Sequence, residues 1–260
     1  MNILDKIVID KRQEVVAKKK VLPIDFLKTT PLFLRKIFSL SKNLKSGSGI
    51  IAEFKRRSPS KQVINNISSV IDVVKGYEKA GVSGISVLAD TKYFGGSLDD
   101  LIQARNEVKT PILRKEFIID IYQIYEAKAF GADAILLIAA ILTAPEIKEF
   151  SKLANQLDLE VLLEIHNEEE LHKSSLNHVD MVGVNNRNLK TFEVSLETSK
   201  SLSALIPNDK VKISESGISS ITAINELKQF GFQGFLIGEN FMKTDNPGKA
   251  AIEFLKELEA

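Results

Sequence analysis

Several short stretches of the chain set acids and bases at the ends of apolar runs. Glu53 and Lys55 stand two apart in IIAEFK, as do Asn185 and Arg187 in VGVNNR. Alternate residues of a strand share a face, so each pair points one way. Lys115 in ILRKEF shares its face with Leu113 and Phe117, Glu164 in VLLEIH follows three apolar residues, and Glu215 sits in VKISESG. A single Glu or Lys past a strand is ordinarily the first residue of a solvated loop. A lone Glu–Lys pair is ordinarily a surface ion pair worth about 0–1 kcal/mol. Here two lysines, three glutamates, an asparagine and an arginine come from five apolar segments that turn polar at the same end. Opposed acids and bases in one cleft suit proton transfer, because burial and neighbours push their pKa values apart.

Two turns point to an anion. Ser216-Gly217-Ile218-Ser219 and Gly238-Glu239-Asn240 each connect an apolar run to a helical pattern. Small residues let the backbone approach a phosphate, and a helix N-terminus offers free N–H groups. Taken singly, either turn is an ordinary strand-to-helix connection with a capping serine or asparagine. Together they favour a phosphate cradle. Glu239 would serve it through its backbone N–H with the carboxylate turned away. A third stretch, KRRSPSK from Lys55 to Lys61, is basic. It reads either as a solvated loop or as a mobile lid carrying charge to an anionic substrate. No aromatic residues interleave these charges, which disfavours single-strand nucleic-acid binding.

The elements that must carry these residues follow one rhythm. Residues 1–46 read as a helical extension, broken by Pro23 and Pro31 into at least two pieces. Lys18, Lys19 and Lys20 read as the solvated end of its first helix. From residue 47 onward, strands are predicted at 49–54, 84–88, 111–114, 134–138, 160–163, 181–184, 210–213 and 234–237. Helices are predicted between and after them at 68–80, 98–108, 121–130, 144–157, 168–175, 196–205, 221–230 and 247–258. Gly81, Gly131 and Gly231 follow three of these helices, as C-terminal caps do. Strand–helix alternation implies βαβ crossovers and a parallel sheet. Eight such units are the count of a (β/α)8 barrel (TIM barrel), whose chemistry sits on the loops at the C-terminal ends of its strands. A doubly wound open sheet is the competitor, but no G-x-G-x-x-G follows the first strand. One barrel over residues 47–260 with the extension in front is the simplest reading.

Composition closes other routes. Lys+Arg is 35 and Asp+Glu 34, a net charge of +1 that lacks the basic excess of a nucleic-acid footprint. The absence of cysteine removes disulfides, thiolate metal sites and a cysteine nucleophile. The three histidines, His166, His172 and His178, are spaced by six and do not share one helix face, so a three-His zinc site is not expected. The longest apolar run, residues 134–142, is too short to span a bilayer. Asp5 and Lys6 interrupt any would-be signal sequence. The expectation is a cytoplasmic protein, monomeric by default, with a small phosphorylated substrate and neither a nucleic-acid nor a membrane partner.

The segments IIAEFKRRSPS (50–60), TKYFGGSL (91–98), PILRKEFIID (111–120), ADAILLIAAIL (132–142), LLEIH (162–166), VGVNNRNL (182–189), SESG (214–217) and FLIGENFM (235–242) together resemble the indole-3-glycerol-phosphate synthases. They span all eight units in order. Gln62 departs from the family, which often has glycine there. The resemblance implies a decarboxylating, dehydrating ring closure of 1-(2-carboxyphenylamino)-1-deoxyribulose 5-phosphate, with no cofactor and no metal. It implies Lys115 as general acid on the substrate ketone and Glu164 as base or as stabiliser of the developing iminium charge. Glu53 and Lys55 would act in the dehydration, with Lys55 also near the phosphate, while Asn185 orients hydroxyls. Arg187 would hold the carboxylate, with Ser58, Glu215 and Ser216 also contacting substrate. Ser216, Gly217, Gly238 and Glu239 would form the phosphate cradle, and Phe94, Phe117, Leu136, Ile138 and Leu189 the apolar pocket for the ring. The other readings are an isomerase acting on phosphoribosylanthranilate, a Schiff-base aldolase barrel and a non-catalytic phosphosugar-binding barrel. The isomerase reading lacks its cysteine.

Overall fold

Eight parallel strands pair in chain order, and the eighth closes on the first. The computed structural model describes residues 3–189 and 191–260. The strands are β1 Ile50–Phe54, β2 Gly84–Leu88, β3 Ile112–Lys115, β4 Ala134–Ile138, β5 Glu160–Ile165, β6 Met181–Asn185, β7 Val211–Glu215 and β8 Gly234–Ile237. Three helices precede the barrel: α1 Ile3–Val21, α2 Ile24–Leu27 and α3 Leu40–Ser46. The crossovers carry α4 Val70–Ala80, α5 Thr91–Phe94, α6 Leu98–Glu107, α7 Tyr122–Ala129, α8 Ala144–Gln156, α9 Glu168–Lys173, α10 Glu197–Ser203 and α11 Ile221–Gln229. After β8 come α12 Glu239–Met242 and α13 Pro247–Glu259. This is the (β/α)8 barrel that the alternation predicts.

Period-two alternation splits the strand residues into two cores. Ile50, Ala52 and Phe54 face outward and pack against the helices, with Val73, Val74 and Tyr77 of α4 among their neighbours. Ile51, Leu113, Leu136, Leu162, Met181, Ile213 and Leu236 face inward and fill the barrel. Each such side chain contributes about 1.5–3 kcal/mol by leaving water. The extension closes both ends of this inner core. Leu40 and Leu44 of α3 plug the end where the strands begin, and Ile7 of α1 joins the same core at the other end. Gly84 leaves the space for this plug, since a Cβ there would lie 2.3 Å from Leu40 Cδ1.

The end where the strands begin is also held by one carboxylate. Asp133, fully buried just before β4, accepts from Arg35 Nη2 (2.8 Å) and Phe38 N (2.8 Å) on Oδ1. Its Oδ2 accepts from Arg105 Nη1 (2.6 Å) and Ile112 N (2.8 Å). Extension, α6 and β3 are thereby tied to β4 at one point.

Three predicted strands coincide with the observed ones, and others run further. β3, β5, β6 and β7 continue through Lys115, Ile165, Asn185 and Glu215. Lys115, Glu164 and Glu215 are therefore strand residues rather than the first residues of loops, whereas Lys55 and Arg187 lie just past β1 and β6. Parallel pairing continues past the last apolar residue, as in Asn185 opposite Glu215. The lysine run of α1 is the solvated helix end expected, with Lys19 and Lys20 exposed, though two of its lysines have partners. Lys18 pairs with Glu14 within the helix (2.8 Å), and Lys19 reaches Asp120 before α7 (2.7 Å).

Candidate active site

The inward columns change character as they rise toward the C-terminal rim. Ile51 leads to Glu53 and Lys55, Leu113 to Lys115 and Phe117, Leu162 to Glu164, and Ile213 to Glu215. All of these upper residues line one cleft of about 410 Å³, within the range of small-molecule sites. Every residue predicted for the site lines it: Ser58, Phe94, Leu136, Ile138, Asn185, Arg187, Leu189, Ser216, Gly217, Gly238 and Glu239 join those above.

Lys115 is the hub. Its Nζ bonds Glu215 Oε2 and lies 3.3 Å from Glu164 Oε2. Glu164 Oε1 accepts from Asn185 Nδ2 (3.2 Å). That amide is oriented in turn, because Asn185 Oδ1 accepts from Ser216 Oγ (2.9 Å) and Arg187 N (3.0 Å). On the other side of the cleft, Lys55 Nζ pairs with Glu53 Oε1 at 2.6 Å, and Ser86 Oγ donates to Glu53 Oε2 (3.4 Å). With Glu53 almost wholly buried, this is no surface ion pair. Two glycines, Gly183 in β6 and Gly238 just after β8, keep space bare for the cluster. A Cβ on Gly183 would lie 2.3 Å from Glu215 Oε1, and one on Gly238 would lie 2.6 Å from Glu53 Oε1.

Burial and charge displace these groups in opposite directions. Burial draws the Lys115 ammonium down, but Glu215, Glu164 and Glu53 outweigh it and hold it well above the usual lysine range. Burial raises Glu215 to about 7 against the pull of Lys115, with Glu164 and Glu53 adding to the rise. Glu164 goes the other way: burial raises it, yet Lys115, His166 and the Asn185 hydrogen bond bring it below its ordinary value. The cluster thus pairs a lysine that stays protonated with one carboxyl that stays ionised and one that holds a proton near neutrality. Two carboxyls with separated pKa values beside a cation are the equipment of general acid–base chemistry.

One wall of the cleft is apolar. Phe94 and Phe117 pack with ring centroids 5.8 Å apart, and Leu136, Ile138 and Leu189 continue the surface. Sequence reasoning missed that Ile3, Leu4 and Ile7 of α1 complete this wall. Their spacing shows a helix face, but not which surface the face meets. It also missed what seats α1. Lys11, 1% exposed, places Nζ 2.9 Å from Asp90 Oδ2 and 3.1 Å from Glu116 Oε1, at the upper ends of β2 and β3. A lysine between an aspartate and an arginine carries no sequence signal of burial.

The opposite wall is polar and suited to an anion. Ser216 (φ 68°) and Gly217 (φ 78°) are both left-handed, an arrangement that a non-glycine residue adopts at some cost and that occurs at functional turns. The first-turn N–H groups of Glu239 and Asn240 have no acceptor within α12. The Glu239 carboxylate is turned out to Lys61 (2.9 Å), which joins the loop after β1 to the loop after β8. The basic loop after β1 divides its charges. Lys55 enters the cleft, whereas Arg56 makes a bidentate pair with Asp100 (2.6 and 2.8 Å) and Arg57 donates to the carbonyls of Thr91 (2.7 Å) and Lys92 (3.0 Å). The two arginines bind the loop down instead of bringing charge to a ligand. Among the described residues, no group of three or more His, Asp or Glu side chains is arranged to hold a metal ion.

Residues 4–254 match the family model described as indole-3-glycerol phosphate synthase. The chain belongs to this family. The indole-3-glycerol phosphate synthase of Bacteroides thetaiotaomicron is 48% identical over 259 residues, covering 99% of both chains. That of Caldanaerobacter subterraneus subsp. tengcongensis is 43% identical over 256 residues, covering 98% of each. Among solved structures, thiamine phosphate pyrophosphorylase from Pyrococcus furiosus superposes with a TM-score of 0.62 at 15% identity, covering 85% of this chain and 98% of that one. A tryptophan synthase complex from the same organism superposes at 0.59 with 16% identity, covering 82% and 98%. At such identities the two structures share the barrel fold alone with this chain. The family match brings the acid–base cluster, the apolar wall and the anion-ready wall under one description.

Proposed function

We propose that this chain catalyses the ring closure of 1-(2-carboxyphenylamino)-1-deoxyribulose 5-phosphate to indole-3-glycerol phosphate, as a carboxy-lyase of tryptophan biosynthesis working in the cytoplasm as a monomer. The observation that carries the reading is Lys115, held protonated between Glu164 and Glu215 on the floor of a cleft with one apolar and one anion-ready wall. The anthranilate ring lies against Phe94, Phe117, Leu136, Ile138 and Leu189. The phosphate sits at Ser216, Gly217, Gly238 and Glu239, near Lys55.

Lys115 donates its proton to the ketone oxygen as the ring carbon bearing the carboxylate attacks the ketone carbon. A new C–C bond forms, and positive charge develops on the aniline nitrogen and ring. Ionised Glu164 stabilises that charge. Arg187 and Ser58 position the substrate carboxylate, and the C–CO₂ bond then breaks, its electron pair restoring the aromatic ring. The hydroxyl made from the ketone leaves as water with a proton supplied at the Glu53–Lys55 pair. Transfer of a C–H proton back to that pair completes the indole. Asn185 and Glu215 hold the substrate hydroxyls and keep Lys115 aimed. A Schiff-base role for Lys115 is disfavoured, because such a lysine must be neutral to attack, and three carboxylates keep this one charged.

The chain contains no tryptophan, which gives a direct test. Mixing it with the anilino-deoxyribulose phosphate should produce rising indole fluorescence that comes only from product, and Lys115→Ala should abolish the rise. A folded chain that binds the substrate without any rise would leave a phosphosugar-binding barrel as the better account.

A further inference from the structure

His166 stands directly behind Glu164 and outside the cleft lining, with a side chain 10% exposed. Its Nδ1 lies 3.1 Å from Glu170 Oε2, an oxygen that also accepts from the His166 backbone N–H at 2.8 Å. Its Nε2 is buried without a hydrogen-bond partner and lies at ion-pair distance, 3.5 Å, from Glu164 Oε1. Glu170 is fixed from the far side by Asn167, whose Nδ2 donates to Oε1 at 3.2 Å. Capping of α9 accounts for the Glu170 bond to the backbone. It does not account for an imidazole whose second nitrogen is aimed at the carboxylate beside Lys115.

A neutral imidazole has one donor and one acceptor nitrogen. Between two carboxylates, either tautomer would set a lone pair against a carboxylate oxygen. Only the imidazolium presents a donor to both. The charged groups that face it are Glu170 of α9, Glu164 of β5 and, further across, Glu215 of β7. Lys115 of β3 lies beyond Glu164. Lys173 of α9 is turned to the Leu142 carbonyl (3.0 Å), and the turn Ala139–Ile141 beneath adds only apolar side chains.

We propose that His166 is a positioning residue of this site: an imidazolium clamped by Glu170 that faces Oε1 of Glu164 beside the Asn185 amide, favours that carboxylate's charged form and leaves its other oxygen to Lys115. The role rests on the reading of Glu164 as a catalytic carboxylate. Burial opposes the charge on the ring, but Glu170 and Glu164 together raise His166 above its ordinary value. Glu164 is in turn one of the groups held ionised in part by His166.

The test uses the full chain labelled with ¹⁵N-histidine, which has three histidines, so the spectrum of His166→Asn assigns the signal. Both ring nitrogens of His166 should carry protons at pH 7, with a midpoint above the usual value of about 6.5. Glu164→Gln should lower that midpoint by roughly one unit. A neutral ring at pH 7, or a midpoint that Glu164→Gln leaves in place, would overturn the proposal. In kinetics, His166→Asn and Glu170→Gln should each lower kcat several-fold with KM little changed. Both should move the acidic limb of the pH profile upward by roughly half to one unit, since Glu164 loses a neighbouring cation. An unmoved limb in both variants, with Glu164→Gln inactive, would refute the role of His166 and spare the catalytic reading. Full activity in Glu164→Gln would overturn that reading, and the role with it.

Discussion

Two buried carboxylates at opposite ends of the barrel are treated differently. Asp133, where the strands begin, accepts four hydrogen bonds, two of them from arginines. Glu215, where the strands end, is equally enclosed, but one of its oxygens has no partner and the other leans on Lys115. A buried polar group left unsatisfied costs about 1–3 kcal/mol. The first carboxylate fastens extension, α6 and β4 together. The second is left with bonding capacity facing a cleft. A barrel built this way separates stability and chemistry by end, which matches the general behaviour of the fold.

Substitutions can break or sharpen this contrast. Lys115→Ala should lower kcat by about 10²–10⁴, as loss of a general acid does, and should cost less stability than Asp133→Ala, because the carboxyls it leaves face the cleft and can take up protons. A melting temperature that falls in step with activity would erase the distinction between the two ends. Asp133→Ala should do the reverse. It strips a buried charge cluster of its centre and should cost about 3–5 kcal/mol in denaturant unfolding, while kcat per folded molecule stays near that of the unmodified chain. Gly183→Ala lies between these cases. Its new methyl must displace the free oxygen of Glu215, a strain of about 1–3 kcal/mol. Part of that strain should appear as lower kcat rather than as lost stability.

The smallest effect is a pH slope. Burial raises Glu215 from 4.5 to about 7, so the folded chain binds more protons than the unfolded one in that window. Glu215 therefore costs stability as pH rises from about 4.5 to about 7, and the whole cost is present above 7. Glu215→Gln removes it. Relative to the unmodified chain, that variant should gain stability at pH 8 compared with pH 5 and lose activity at both. Thermal unfolding at the two pH values would expose the opposite slope if Glu215 were as well satisfied as Asp133.

The sequence displayed the barrel and most of its site because both follow local rules. Alternating apolar runs and glycine-ended helices set eight units in order, and residues two apart on a strand had to share a face. Glu53 with Lys55 and Asn185 with Arg187 were therefore readable as co-facing, and all four line the cleft. Strand ends were harder. Apolarity stops at Leu163 and Ile213, whereas backbone pairing to the neighbouring strand carries on to Ile165 and Glu215. The short helices α5 and α12 lack the several turns over which a 3.6-residue period can be recognised.

By itself, the sequence determined the number and order of units, the end at which polar residues gather, and the residues able to move protons or meet a phosphate. These depend on periods of two and 3.6 residues and on side-chain type. Only the tertiary structure decided that Glu215 and Glu164 share Lys115, that Lys11 is buried, that Arg56 and Arg57 fasten a loop, and that α1 walls the cleft. Each of these depends on distances between residues far apart in the chain. Burial and partner charge, rather than residue type, then set which groups hold protons.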